Sequence, residues 1–183
     1  KDCDYSALLP FLQYPLNNLG DPCMPCTYTV GSREMERYVV EFFARLFRAP
    51  EDDWWGYVTN GGSEGNLYGL YLARELYPKA MVYYSEATHY SVQKNLHLLN
   101  MPGIMIRTLP NGEIDYEDLQ HTMGMNRHMP VIMLANIGTT MTEARDDIRR
   151  IKAILRDLAI RHHYIHADGA LSGSYSAFLE PRP

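Results

Sequence analysis

Hydrophobic and polar positions divide the chain into an irregular beginning, one helical stretch and a long alternation. Residues 1–31 hold Pro10, Pro15, Pro22, Pro25, Gly20 and Gly31, and residues that lack an N–H donor or relax the backbone at this density predict an extended, turn-rich arm. From Ser32 the spacing becomes helical: Val39, Phe42, Phe43 and Leu46 recur at i, i+3, i+4 and i+7. Ser32 stands where a cap is needed and Glu34 and Glu36 put negative charge in the first turn. The spacing predicts an amphipathic helix with this stripe against a core.

Beyond Trp54, short apolar runs alternate with helical stretches. Residues 56–59 read as a strand, followed by a glycine turn and a helix over 64–77 that Pro78 ends. Strands are predicted over 81–84, 104–108, 131–136 and 164–167, and a helix over 91–100. Asn111-Gly112 makes a turn and Asp115 caps a short helix, while Ile148, Ile151, Leu155 and Leu158 form one stripe of another. Strands that alternate with helices need crossover connections, so the fold class is α/β with a mostly parallel sheet flanked by helices. The chain thus divides into an arm over 1–31 and one domain that begins at 32 and runs to 183.

Ligands of such sheets bind beyond the carboxyl ends of the strands. Polar and glycine-rich residues gather at those ends: 60–64, Thr88-His89, 138–140 and 168–170. Four loops from separate parts of the chain are expected to line one crevice.

Composition narrows the partners. At 46% hydrophobic and 11% aromatic, 183 residues suffice for a globular core. Seventeen basic against twenty-two acidic residues give a net charge of −5 with no basic cluster, which excludes nucleic acid as a partner. Apolar runs such as Val131 to Ala135 fall far short of the roughly 20 residues a bilayer span needs, and no signal pattern opens the chain. No membrane association and a cytoplasmic location are expected. Cys23 and Cys26 have C-x2-C spacing, but no second pair completes a closed zinc site. With Cys3 they read as free thiols in a reducing compartment, and no metal is expected.

Four places carry candidate chemistry. In Asn60-Gly61-Gly62-Ser63-Glu64-Gly65-Asn66, glycines admit an anion to backbone N–H groups, Ser63 adds a hydroxyl, and the helix that comes next aims its positive end there. A plain strand-to-helix turn explains the same composition equally well. Asp168 ends the apolar run Ile165-His166-Ala167; a carboxylate there either pairs with a protonated ring nitrogen or caps a turn. Gly169 and Ala170 leave room for a flat ring. His89, between a strand and a helix, suits stacking on a planar group with a ring nitrogen left for proton transfer, although lone histidines are more often structural. Thr139 and Thr140 come after Gly138 at the same rim, as ligand contacts or as loop caps.

Taken in order, these segments resemble the group II pyridoxal-phosphate decarboxylases, bacterial histidine decarboxylases and plant serine decarboxylases above all. The matching strings are Tyr14-Pro15-Leu16-Asn17-Asn18, Gly56 through Asn66, Thr88-His89-Tyr90-Ser91-Val92, Leu109-Pro110-Asn111-Gly112-Glu113-Ile114-Asp115, Ala135-Asn136-Ile137-Gly138-Thr139-Thr140, and His166-Ala167-Asp168-Gly169-Ala170-Leu171-Ser172-Gly173. The resemblance implies the large domain of a fold type I pyridoxal-phosphate enzyme, incomplete in this chain, and a homodimer. It implies decarboxylation of an amino acid, first of all histidine to histamine and carbon dioxide, with serine or aromatic amino acids as alternatives. Gly61, Gly62 and Ser63 would then hold the cofactor phosphate, His89 would stack on the ring and meet the substrate, and Asp168 would pair with the ring nitrogen. Ala170 would pack on the opposite ring face, with Thr139 or Thr140 nearby. The resemblance further implies a cofactor-binding lysine beyond the Asp168 motif, a place none of Lys1, Lys79, Lys94 and Lys152 occupies. This chain is thus expected to be the amino-terminal part of the enzyme, inactive alone, with a catalytically dead interaction module as the alternative.

Overall fold

The computed structural model of the protein describes residues 4–14, 20–27 and 31–179, so Lys1, Cys3 and the 15–18 part of the first matching string lie outside the described residues. The chain forms two compact units, Lys1–Val58 and Thr59–Pro183.

The first unit departs from expectation in four ways. The arm contains a 3-10 helix, Ser6–Gln13, with Pro10 inside it; proline's fixed φ lies within the 3-10 range, and so short a helix loses little when one N–H is missing. Helix α1 (Arg33–Leu46) forms where the spacing places it, but Ser32 makes no side-chain capping bond. Its apolar stripe is not packed into a core: Val39 is 44% and Phe42 55% exposed. Periodicity reports that a stripe exists, not what covers it. The buried residue of α1 is Glu36, whose carboxylate accepts the Val58 N–H at 2.8 Å. That bond replaces a ladder partner, and residues 56–59 form no strand.

In the second unit the alternation appears in full. Helices α2 (Gly62–Leu76), α3 (Ser91–Leu98), α4 (Tyr116–Met125), α5 (Ile148–Asp157) and α6 (Gly173–Ser176) accompany strands β1 (Met81–Ser85), β2 (Gly103–Ile106), β3 (Val131–Asn136) and β4 (His163–Asp168). The sheet has the order β2-β1-β3-β4 with every pairing parallel. Asp115 and Asp147 cap α4 and α5 by accepting two backbone N–H bonds each, which satisfies donors that a helix start otherwise leaves open. Helix α3 stops before residue 100 because Asn100 adopts φ 52°, the left-handed conformation that closes helices. Strand β2 is shorter than expected because Thr108 turns away to bridge Ile114 antiparallel.

Strand periodicity sorts the core into two layers. Val131, Met133 and Ala135 of β3 join Tyr116, Leu119 and Met123 of α4 and Ile151 and Leu155 of α5 on one face. Ile132 and Leu134 join Leu70 and Ala73 of α2 and Val92 and Leu96 of α3 on the other. All six β3 residues are buried, as a central parallel strand covered on both faces should be. The face under α2 also receives polar side chains: period 2 directs Asn136 to it from β3 and, beside Tyr164, both His166 and Asp168 from β4. Among the described residues no helix is long and apolar enough to cross a membrane.

Candidate active site

A cavity of about 240 Å3 opens at the carboxyl end of the sheet, lined by Gly62, Ser63, Asn66, His89, Asn136, Gly138, Thr139, Thr140, Asp168, Ala170 and Leu171. Four connections meet there: the start of α2, the turn after β1, the end of β3 with its loop, and the end of β4 with the segment leading to α6. Of the residues singled out in the sequence, Gly62, Ser63, His89, Thr139, Thr140, Asp168 and Ala170 all line it. Gly61 does not; with φ 130° it makes the bend into α2 that only glycine adopts without strain.

The start of α2 is held in place from both sides. Asn60 donates its backbone N–H and its amide to the Glu64 carboxylate, both at 2.9 Å, and the Ser63 carbonyl accepts the Asn95 amide of α3 at 3.0 Å. A helix of 15 residues thereby presents its positive end and unpaired N–H groups to the cavity. Ala170 crosses directly in front: a Cβ at Gly62 would lie 2.6 Å from the Ala170 Cβ, so the two walls meet only because residue 62 has no side chain.

His89 sits half-buried in the turn after β1. Its Nδ1 accepts the Ser91 N–H at 3.3 Å and lies 2.8 Å from the Ser91 hydroxyl. Since Nδ1 accepts, the ring proton belongs to Nε2. The ring also lies against Tyr90, centroids 4.3 Å apart, so its orientation is set from two directions.

Thr139 is buried, and its hydroxyl is engaged within its own loop, 2.7 Å from the Thr142 hydroxyl while accepting the Ala144 N–H at 3.1 Å. Thr140 is exposed at the rim. The two threonines are thus unequal: one closes the loop and the other faces the opening.

Asp168 ends β4 with its carboxylate buried. One oxygen accepts the Ala170 N–H at 3.1 Å and the other the Asn66 amide at 2.7 Å. Each carboxylate oxygen offers about two lone pairs, so acceptor capacity toward the cavity remains.

Sequence reasoning assigns no role to Asn66, Asn136 or Asp146. Asp146, buried behind the cavity, accepts the Ile114 N–H at 2.8 Å and from Asn136 both the backbone N–H at 2.7 Å and the amide at 3.0 Å. The same Asn136 amide reaches the Ser85 hydroxyl at 3.1 Å and the Thr88 hydroxyl at 3.2 Å. This network ties the loop after β3 to the turn that carries His89. Burial pushes the Asp146 carboxyl above its ordinary value of 3.8, against the N–H bonds from Asn136 and Ile114 that favour the charge. The sequence does hold a signal for Asn136: a polar residue in phase with Ile132 and Leu134 at the end of an apolar strand has to be buried next to the strand's open end.

Comparison with known proteins gives the family. Residues 31–182 match the pyridoxal-dependent decarboxylase conserved domain. The histidine decarboxylase of Mesorhizobium japonicum is 52% identical over 183 residues, covering 100% of this chain and 50% of that protein. The histidine decarboxylase of Acinetobacter baumannii (strain ACICU) is 49% identical over 181 residues, covering 98% of this chain and 47% of that protein. The crystal structure of L-methionine decarboxylase from Streptomyces sp. 590 superposes with a TM-score of 0.82 at 25% identity, over 93% of this chain and 49% of that one. The chain therefore spans about half the length of the curated relatives it matches. With the same domain, near-complete coverage of the chain and a shared parallel α/β fold, this chain belongs to the pyridoxal-dependent decarboxylase family.

Proposed function

We propose that the protein is a pyridoxal-phosphate-dependent carboxy-lyase that decarboxylates histidine to histamine and carbon dioxide. The observation that carries this reading is the convergence of Asp168, His89 and the first turn of α2 on one cavity. The donor set fits the group. Gly62, Ser63 and the positive end of α2 suit a phosphate, and Ala170 offers a small, flat wall for a ring. Asp168 keeps a carboxylate oxygen available to a ring N–H, and His89 keeps one polar ring atom, Nε2, able to hydrogen-bond or move a proton. When bound, pyridoxal phosphate supplies the electron sink that makes loss of carbon dioxide from an amino acid accessible.

In this reading Asp168 holds the proton on the ring nitrogen, which keeps the ring cationic. His89 packs over the ring and meets the substrate, with Ser91 fixing its plane. Thr140 contacts bound groups at the rim, whereas the Thr139 hydroxyl serves the loop. Gly61 acts through the bend it makes rather than through contact. None of Lys79, Lys94 and Lys152 lines the cavity, so we assign the lysine implied by the resemblance to the portion of the relatives that this chain does not span, and we propose a homodimer as the working form.

Histidine is favoured over serine and aromatic amino acids because the relatives near 50% identity are histidine decarboxylases. The test supplies the full-length protein with pyridoxal phosphate and measures carbon dioxide and amine from histidine, serine, tyrosine, tryptophan and glutamate. Histamine should dominate, and Asp168→Ala should lower kcat/KM by about 10^2 to 10^3 or more, the scale of losing a buried charge-stabilising group. No carbon dioxide from any of the five would overturn the proposal.

A further inference from the structure

Strand β4 sets His166 and Asp168 on the same face of the sheet, two residues or roughly 6.6 Å apart. The two side chains form no direct hydrogen bond with each other; their partners are Asn66 and, for Asp168, also the Ala170 N–H. Asn66, buried one turn into α2, spans the gap: its Nδ2 donates to the Asp168 carboxylate at 2.7 Å and its Oδ1 lies 2.8 Å from His166 Nε2. The orientation of the amide is forced. A carboxylate only accepts, so the NH2 group must face Asp168 and the carbonyl oxygen must face His166. His166 then has to donate through Nε2, which selects that tautomer. Burial lowers the His166 pKa below its ordinary 6.5, although the Asp168 charge opposes the shift, and the neutral ring keeps Nδ1 unprotonated.

Helix α2 makes room for this ring. A Cβ at Gly69 would lie 2.3 Å from His166 Nδ1 and 2.4 Å from Cε1, so a glycine about one turn after Asn66 lets the Nδ1–Cε1 side of the imidazole come up against the helix. Asn66 and Gly69 share the inner face of α2 with Leu70 and Ala73.

Resting on the proposed function, we infer that Asn66 is a positioning residue: it links His166 to Asp168 and fixes the plane of the Asp168 carboxylate toward the ring nitrogen of the cofactor. Asn66 touches no reacting atom in this role. It acts through Asp168 alone, and its effect therefore depends on the ring having a nitrogen to be met.

Two measurements on the full-length protein test this. First, dissociation constants are measured for pyridoxal phosphate and for its 1-deaza analogue, in which carbon replaces the ring nitrogen, with wild type and Asn66→Ala. The variant should bind pyridoxal phosphate about tenfold more weakly, as expected for loss of one hydrogen bond to a charged group, and should bind the analogue within about twofold of wild type. Equal weakening toward both compounds would mean that Asn66 merely supports the fold, and no weakening toward either would mean that it does nothing; both overturn the inference. Second, nitrogen-15 NMR of the wild type reads the His166 tautomer without any substitution. A proton on Nε2 supports the bridge, and a proton on Nδ1 overturns it even if the variant does not fold. Wild type that binds neither compound would instead bring down the proposed function, and the inference with it.

Discussion

His166 and Asp146 each hydrogen-bond an asparagine that lines the cavity, Asn66 and Asn136 respectively, and burial acts on their pKa values with opposite sign. For His166 the folded pKa lies below the ordinary 6.5, so the unfolded chain binds the proton more readily. Its stabilising contribution is present above about 6.5 and is lost as pH falls through the folded value. For Asp146 burial raises the folded pKa above 3.8; the favourable contribution is present below that value and is lost as pH rises through the folded one. An NMR titration of the His166 ring should give a midpoint below 6.5, and His166→Gln should remove the stability loss that begins as pH falls under 6.5. A midpoint at or above 6.5 would contradict the assignment of a partly buried, neutral ring. At this scale the chain is partly legible. Ser63, His89 and Asp168 are visible because each comes after an apolar run or a glycine turn at a strand end. Asn66 and Asp146 are not, because what gives them meaning lies elsewhere in the chain: Asn66 meets Asp168 across 102 residues, and Asp146 meets Ile114 across 32.

Among the elements, α2 bears most on the cavity because its first turn and the segment after β4 form adjoining walls. Gly62→Ala would push a methyl group to 2.6 Å from the Ala170 Cβ, at a cost of about 1–3 kcal/mol if neither wall yields. Weaker phosphate binding, read from the affinity of the full-length protein for pyridoxal phosphate, is the expected outcome. Ala170→Gly in the same chain should restore most of the loss, and failure of that rescue would show that Gly62 matters for a reason other than space. Helix positions are readable from a cap alone, as at Asp115, or from periodicity alone, as over 148–158, where the Asp147 cap is seen only in the structure. The 56–59 segment reads as a strand because its apolar residues resemble one, yet Glu36, more than 20 positions earlier, takes the Val58 N–H that a neighbouring strand would have taken. Likewise the stripe on α1 carries the correct period but no information about a partner.

For the molecule as a whole, alternation of strand and helix is enough to imply a parallel sheet with its site at the carboxyl ends, because crossovers leave few other arrangements. What the alternation leaves open is which strands neighbour one another; the order β2-β1-β3-β4 puts the ends of β1, β3 and β4 side by side, and the loops that carry His89, Thr140 and Asp168 leave from those three. The central claim is that these loops and the start of α2 surround one phosphorylated pyridine. The most direct measurement is a crystal structure of the full-length protein grown with pyridoxal phosphate. The phosphate should rest on Gly62 and Ser63, with the ring nitrogen about 2.7–2.9 Å from an Asp168 oxygen, as befits a charged pair, and the His89 imidazole over the ring. A cofactor bound away from α2, or a ring nitrogen facing any group other than Asp168, would contradict the account.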